Sequence, residues 1–238
     1  MSVWGKLGGF GVGFLIGGPI GALIGALIGH VLVDREGAPF GPTPKDVVFT
    51  TGLVALAAKM AKADGVVMRS EREAFRRIVE VDEADRARVE ALFDLASRTS
   101  DGYQAYARQM RDLLSDEPGL LEDVLDGLFL IAAADGAVHE REFAFLGDVA
   151  SIFGFDAARF ERVAARHVHR KDDPYVVIGA TREMDDAALK SHYRRLVAEI
   201  HPDRAIARGL PPEAIAIATR RLSAVNEAWD RIALERGM

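Results

Sequence analysis

AKADGVVMRSERE, residues 61–73, returns 71 positions later as AAADGAVHEREFA, residues 132–144. Asp64, Gly65, Val67 and Glu71 of the first copy match Asp135, Gly136, Val138 and Glu142 of the second. The flanks match in character as well: Leu53 with Val124, Met60 with Ile131, Phe75 with Leu146 and Ile78 with Val149. That apolar spacing is helical. Each copy therefore reads as helix, Asp-Gly turn, helix, with Gly65 and Gly136 at a helix C-terminus, where a left-handed backbone is favoured. Further amphipathic helices are expected near 83–99, 103–114 and 156–168. The fold class is all-α, and residues 46–168 form a helical bundle.

The repeated acids admit two readings. Hard cations prefer carboxylate oxygens, which makes Asp64, Glu71, Asp135 and Glu142 candidate metal ligands, although the ligand alternation of an EF-hand is absent. The other reading is local: Asp ends or caps one helix, and Glu sits in the first turn of the next, where the helix dipole favours a negative charge. The doubled ADGxVxxxE pattern resembles the TerB family, helical domains named from tellurite-resistance operons. The resemblance implies a fold more than an activity, and no cofactor is expected.

Downstream, residues 173–238 divide by their own punctuation. Asp173-Pro174 starts a short helical turn and Gly179 ends it. Asp185 is placed to cap a helix running to Ile200, with Ala188, Tyr193, Leu196, Val197 and Ile200 on one side and Lys190, Arg194 and Arg195 on the other. Pro202 cannot continue that helix and restricts His201 before it, so His201-Pro202-Asp203 belongs in an exposed, stiffened loop. Pro211 and Pro212 open a second long helix, packed through Leu222, Val225, Ala228, Trp229 and Ile232. An antiparallel hairpin follows, with His-Pro-Asp at its tip. A histidine and a carboxylate could serve as general base and orienter, but the intervening proline keeps them from converging on a nucleophile. No catalytic residue is assigned.

At the other end, 27 residues from Leu7 to Val33 carry no charge, and Asp34, Arg35 and Glu36 follow at once. A helix needs about 20 apolar residues to cross the hydrocarbon core, so this run spans, with tilt. It is too long for the apolar region of a cleaved signal peptide. Glycines stand at 5, 9, 13, 17, 21, 25 and 29. In water each would cost a helix about 1 kcal/mol against alanine. In lipid, small residues at four-residue spacing let helices approach, which makes Gly9, Gly13, Gly17, Gly21 and Gly25 a candidate face for homodimer formation. The row drifts about 40° per step, so a straight pair uses only part of it. Residues 1–36 are read as the transmembrane anchor and 37–45, with two Gly and three Pro, as a linker. Charge around the span does not fix its orientation.

The chain has 238 residues, a formal charge of −6 and no cysteine. Disulfides and thiolate metal sites are thereby excluded, and nothing resembles the clustered positive surface that nucleic acid requires.

The ordered set DPYVVIGA, YRRLVAEIHPD and NEAWDRI resembles the J domain of DnaJ-type co-chaperones across 173–236. The resemblance implies that His201, Pro202 and Asp203 stimulate ATP hydrolysis by a DnaK-type chaperone, with Lys190, Arg194 and Arg195 as the positive docking face. Arg204 stands where lysine is common, and Trp229 where tyrosine or phenylalanine is usual. No Gly/Phe-rich linker or cysteine zinc module follows, so any client-binding part lies elsewhere. The order of anchor, TerB-like bundle (46–168) and C-terminal J domain (173–238) is similar to that of the DjlA-type family, membrane-anchored DnaJ-like proteins of Gram-negative bacteria. That implies a single-pass inner-membrane protein with both helical domains in the cytoplasm. The alternative left open is a membrane adaptor or stress sensor whose acidic bundle binds a ligand, metal or protein, with chaperone recruitment secondary.

Overall fold

From Val48 to Ala61 the first long helix, α1 (Lys45–Ala63), has apolar side chains on nearly every side. A helix of that kind must be surrounded to be stable in water. In the computed structural model it is packed by α2 (Arg69–Ile78), α3 (Glu83–Ala96), α4 (Tyr103–Leu113), α5 (Pro118–Ala132) and α6 (Glu140–Ile152). Leu53, Val54, Leu56 and Met60 are wholly buried. The structure describes residues 18–21, 45–63, 69–79, 83–98, 100–168 and 173–238, and among these there is no strand.

The second copy of the repeat folds as its sequence dictates. After α5, a turn of 3-10 helix (Ala133–Asp135) ends at Gly136, whose φ of 99° a side chain would oppose. His139 then caps α6. Of the first copy, Asp64 and Gly65 lie outside the described residues.

α7 (Ala157–Ala164) closes the bundle and leads to α8 (Pro174–Ile178), α9 (Asp186–Ile200), α10 (Pro202–Ala207) and α11 (Pro212–Arg236). α9 and α11 run antiparallel: Asp186 meets Arg236 at one end, and Tyr193 stacks on Trp229 half-way, with ring centroids 4.3 Å apart and planes 9° from parallel. α11 belongs to two cores. Val225, Ala228 and Ile232 pack with Tyr175, Ile178, Leu189 and Ile200 in the hairpin. Two to three turns before Val225, Ala214 and Ile217 join the core of the bundle, together with Ala205 and Leu210. Sequence periodicity had assigned α11 only the first of these faces.

The expected span, 7–33, lies outside the described residues except for 18–21, so Gly9, Gly13, Gly17 and Gly25 have no structural account and Gly21 ends a single helical turn. Ile20 of that turn is buried against the bundle, and its N–H donates to Gln109 Oε1 at 2.8 Å. Among the described residues no helix is long and apolar enough to cross a membrane.

Candidate functional site

The hairpin tip is built by local chemistry. The Asp185 carboxylate accepts the Ala188 N–H at 2.7 Å and starts α9. α9 stops because Pro202 has no N–H to donate and holds His201 extended, at φ −61° and ψ 131°. Instead of an open loop, the tripeptide then turns directly into α10. Pro202 occupies the first helical position, where its fixed φ is an advantage, and His201 Nδ1 accepts the Asp203 N–H at 3.3 Å as the cap. The expectation of a loop is corrected to a helix start, since the same proline that ends one helix is suited to begin the next.

His201 and Asp203 point outward, with 43% and 79% of their side chains exposed and Nδ1 3.4 Å from Oδ2. Lys190, Arg194 and Arg195 are exposed along α9, and among the described residues none of the three has a carboxylate partner. Arg195 donates instead to His192 Nδ1 at 3.2 Å. The tautomer this requires is fixed from the other side of the ring, where Nε2–H donates to the Ile178 carbonyl at 2.7 Å. The structure therefore brings the five polar candidates and Pro202 onto α9 and the start of α10.

The bundle holds its own cluster of charge, and it is buried. Glu122 accepts from Arg159 at 2.9 Å, Arg166 at 2.9 Å and Arg221 at 2.5 Å. Asp126 accepts from Arg166 at 2.6 Å and lies 2.7 Å from His167 Nε2. Asp123 accepts from Arg221 at 3.0 Å. Burial alone would raise all three carboxyls, but the guanidiniums decide the outcome for two of them. Glu122 is held below its ordinary value, and Arg166 with His167 and Arg221 keeps Asp126 at about 2. Asp123 has Arg221 as its main support, so burial prevails and pushes it to about 6.

Of the candidate metal ligands, Asp135 accepts the Ala137 N–H at 3.2 Å and meets the His139 ring at 3.0 Å, while Glu142 accepts the His139 N–H at 2.9 Å. These are the turn and capping roles. Glu71 is buried at the start of α2, in hydrogen-bonding contact with Glu142. Asp64 lies outside the described residues, and among those described no group of three acidic or histidine side chains is gathered to hold a metal ion.

Comparison with known proteins bears on the first and middle parts of this layout. The family model described as tellurite resistance protein TerB matches residues 50–165, and the co-chaperone DjlA transmembrane domain matches residues 1–56. A co-chaperone protein DjlA of Shewanella oneidensis is 32% identical over the full length of both chains. The chain belongs to the DjlA co-chaperone family. The DjlA of Coxiella burnetii is 29% identical over 83% of this chain and 81% of its own, and that of Aliivibrio fischeri 28% over 82% and 81%. No solved structure matches the chain. Membership in the DjlA family gives the chain a co-chaperone role and an association with the membrane.

The buried ion cluster escaped the sequence reading. Glu122, Asp123 and Asp126 sit in an apolar helix, and an E-D-x-x-D run there is a faint signal; their partners lie 37 to 99 positions away.

Proposed function

We propose that this chain stimulates the ATPase of a DnaK-type chaperone and recruits it to the membrane, with residues 173–238 acting as a J domain and no reaction catalysed by the chain itself. The observation that carries the reading is the tip: His201 and Asp203 accessible at the start of α10, with Lys190, Arg194 and Arg195 exposed along α9 and, among the described residues, without a carboxylate partner. A positive face of that kind speeds and orients encounter with an acidic surface. The exposed tripeptide then biases the partner between conformations, which requires contacts that differ between them.

Residues 1–36 are the anchor in this account, crossing once, with the bundle (46–168) and the hairpin in the cytoplasm. Insertion of 7–33 exchanges the contact of Ile20 with the bundle for lipid or helix contacts. The glycine row then pairs two anchors, and Gly13→Leu, Gly17→Leu and Gly21→Leu together abolish association in a membrane two-hybrid assay. Recruitment is tested by flotation of the DnaK-type chaperone, with ATP, on liposomes carrying the full chain. The chaperone floats with wild type and stays at the bottom with the Asp203→Asn chain; equal flotation with both contradicts the proposal.

A further inference from the structure

The hairpin does not hang from the bundle by a tether. The first half of α11 lies directly on α5, so closely that a Cβ at Gly127 would come within 2.8 Å of Ile217 Cδ1. Around that apolar contact stand polar ones from bundle to hairpin: Glu122 and Asp123 with Arg221, Glu117 with Arg208 at 2.7 Å, and Thr50 with the buried Glu213. The short segment that follows the tripeptide is fixed at both ends, because Ala205 and Leu210 are buried in the core of the bundle. A cleft of about 60 Å³ at this seam is lined by Asp123 and Leu120 from the bundle and by His201, Arg204, Arg208 and Arg221 from the hairpin.

Two features decide what such a seam does. It covers neither the outward faces of His201 and Asp203 nor Lys190, Arg194 and Arg195, all of which stay exposed while the hairpin is seated. An inhibitory contact would hide them. It also fixes a part of the hairpin that its own core does not reach, the stretch from Pro202 to Ile217. Ordering that stretch beforehand removes an entropic cost that docking would otherwise carry.

We infer that the TerB-like bundle is the positioning scaffold of the His-Pro-Asp tip, with Glu117, Asp123 and Gly127 acting through α10 and α11 on residues they do not themselves replace at the partner. The inference rests on the co-chaperone reading above. It gives the bundle a role in chaperone activation that needs no ligand of its own.

The absence of cysteine makes the test direct. Spin labels on Glu161→Cys in α7 and Ile206→Cys in α10 report the seat of the tip on the full chain, and stimulated ATP hydrolysis by a DnaK-type chaperone is titrated with the same chains unlabelled. Wild type gives one narrow distance. Gly127→Leu broadens or shifts it and raises the concentration for half-maximal stimulation at least threefold, with the plateau kept; Glu117→Gln, at a partly exposed pair, does both more weakly. Gly127→Leu with Ile217→Ala makes room again and restores both readouts, which a general loss of stability would not. A broad wild-type distance, or a displaced tip with unchanged or higher stimulation, overturns the inference alone. No stimulation by any chain, wild type included, overturns the co-chaperone reading and this inference with it.

Discussion

Glu71 and Glu142, equivalent positions of the repeat, meet in a buried hydrogen-bonding contact between the starts of α2 and α6. Two carboxylates so placed oppose each other's ionisation. Burial first, then the neighbouring Glu71, pushes Glu142 up to about 7, against the pull of the His139 N–H.

A carboxyl that ionises at higher pH in the folded chain than in the unfolded one binds more protons when folded, so stability falls as pH rises through that interval. The interval here runs from the ordinary 4.5 to about 7. Denaturant unfolding at pH 5 and pH 8 will find the wild type weaker at pH 8. Glu142→Gln keeps an acceptor for the His139 N–H and removes the charge, so it flattens this slope; Asp123, raised to about 6, leaves a smaller one of the same sign.

On the acid side the sign reverses. Asp126 is depressed from 3.8 to about 2, so its contribution is present above pH 4 and is lost as pH falls toward 2. Arg166→Met leaves Asp126 buried without its closest cation, and breaking a pair of that kind costs about 3–5 kcal/mol. The measurement is the midpoint of urea unfolding at pH 7. A shift worth less than about 1 kcal/mol would show that the pair contributes little.

Glycines of α5 and α6 separate packing from propensity. Gly147 in α6 has only Phe160 Cζ near a potential Cβ, at 3.8 Å, so Gly147→Ala stabilises by about 0.5–1 kcal/mol. Gly127 in α5 faces Ile217 at 2.8 Å and Leu53 at 3.2 Å, and overpacking there costs about 1–3 kcal/mol with leucine. Thermal unfolding of the two variants should move in opposite directions.

Arg236 closes the base of the hairpin. Its guanidinium donates to the Tyr175 hydroxyl at 2.8 Å, the Met184 carbonyl at 2.7 Å, the Arg182 carbonyl at 2.7 Å and Asp186 at 3.0 Å. Lysine has no planar fork to reach four acceptors, so Arg236→Lys recovers less than half of what Arg236→Ala loses. Amide exchange at Tyr175 to Ile178 reports the loss locally.

What the sequence made legible was whatever depends on near neighbours. Asp185, Pro202, Pro212 and Gly136 set helix ends within a few positions of themselves, and those ends appear where the local signals put them. The apolar face of α11 from Leu222 to Ile232 was legible for the same reason, since it repeats within one helix. The seam was not. Ala214 and Ile217 extend that face by small steps, and nothing in their spacing says that they leave the hairpin core for the bundle; only the tertiary approach at Gly127 does. The candidate tip was found from its tripeptide, while the helix that begins there was missed because Pro202 had been read only as the end of α9 and not as the first position of α10.

The central claim is that the tip activates a chaperone ATPase, and single-turnover hydrolysis of ATP preloaded on a DnaK-type chaperone tests it most directly. The wild-type chain should accelerate hydrolysis by at least several-fold over the chaperone alone, and His201→Gln, with circular dichroism and thermal unfolding checked because this half-exposed side chain also caps α10, should return the rate to that of the chaperone alone. Equal acceleration by the two chains would contradict the account.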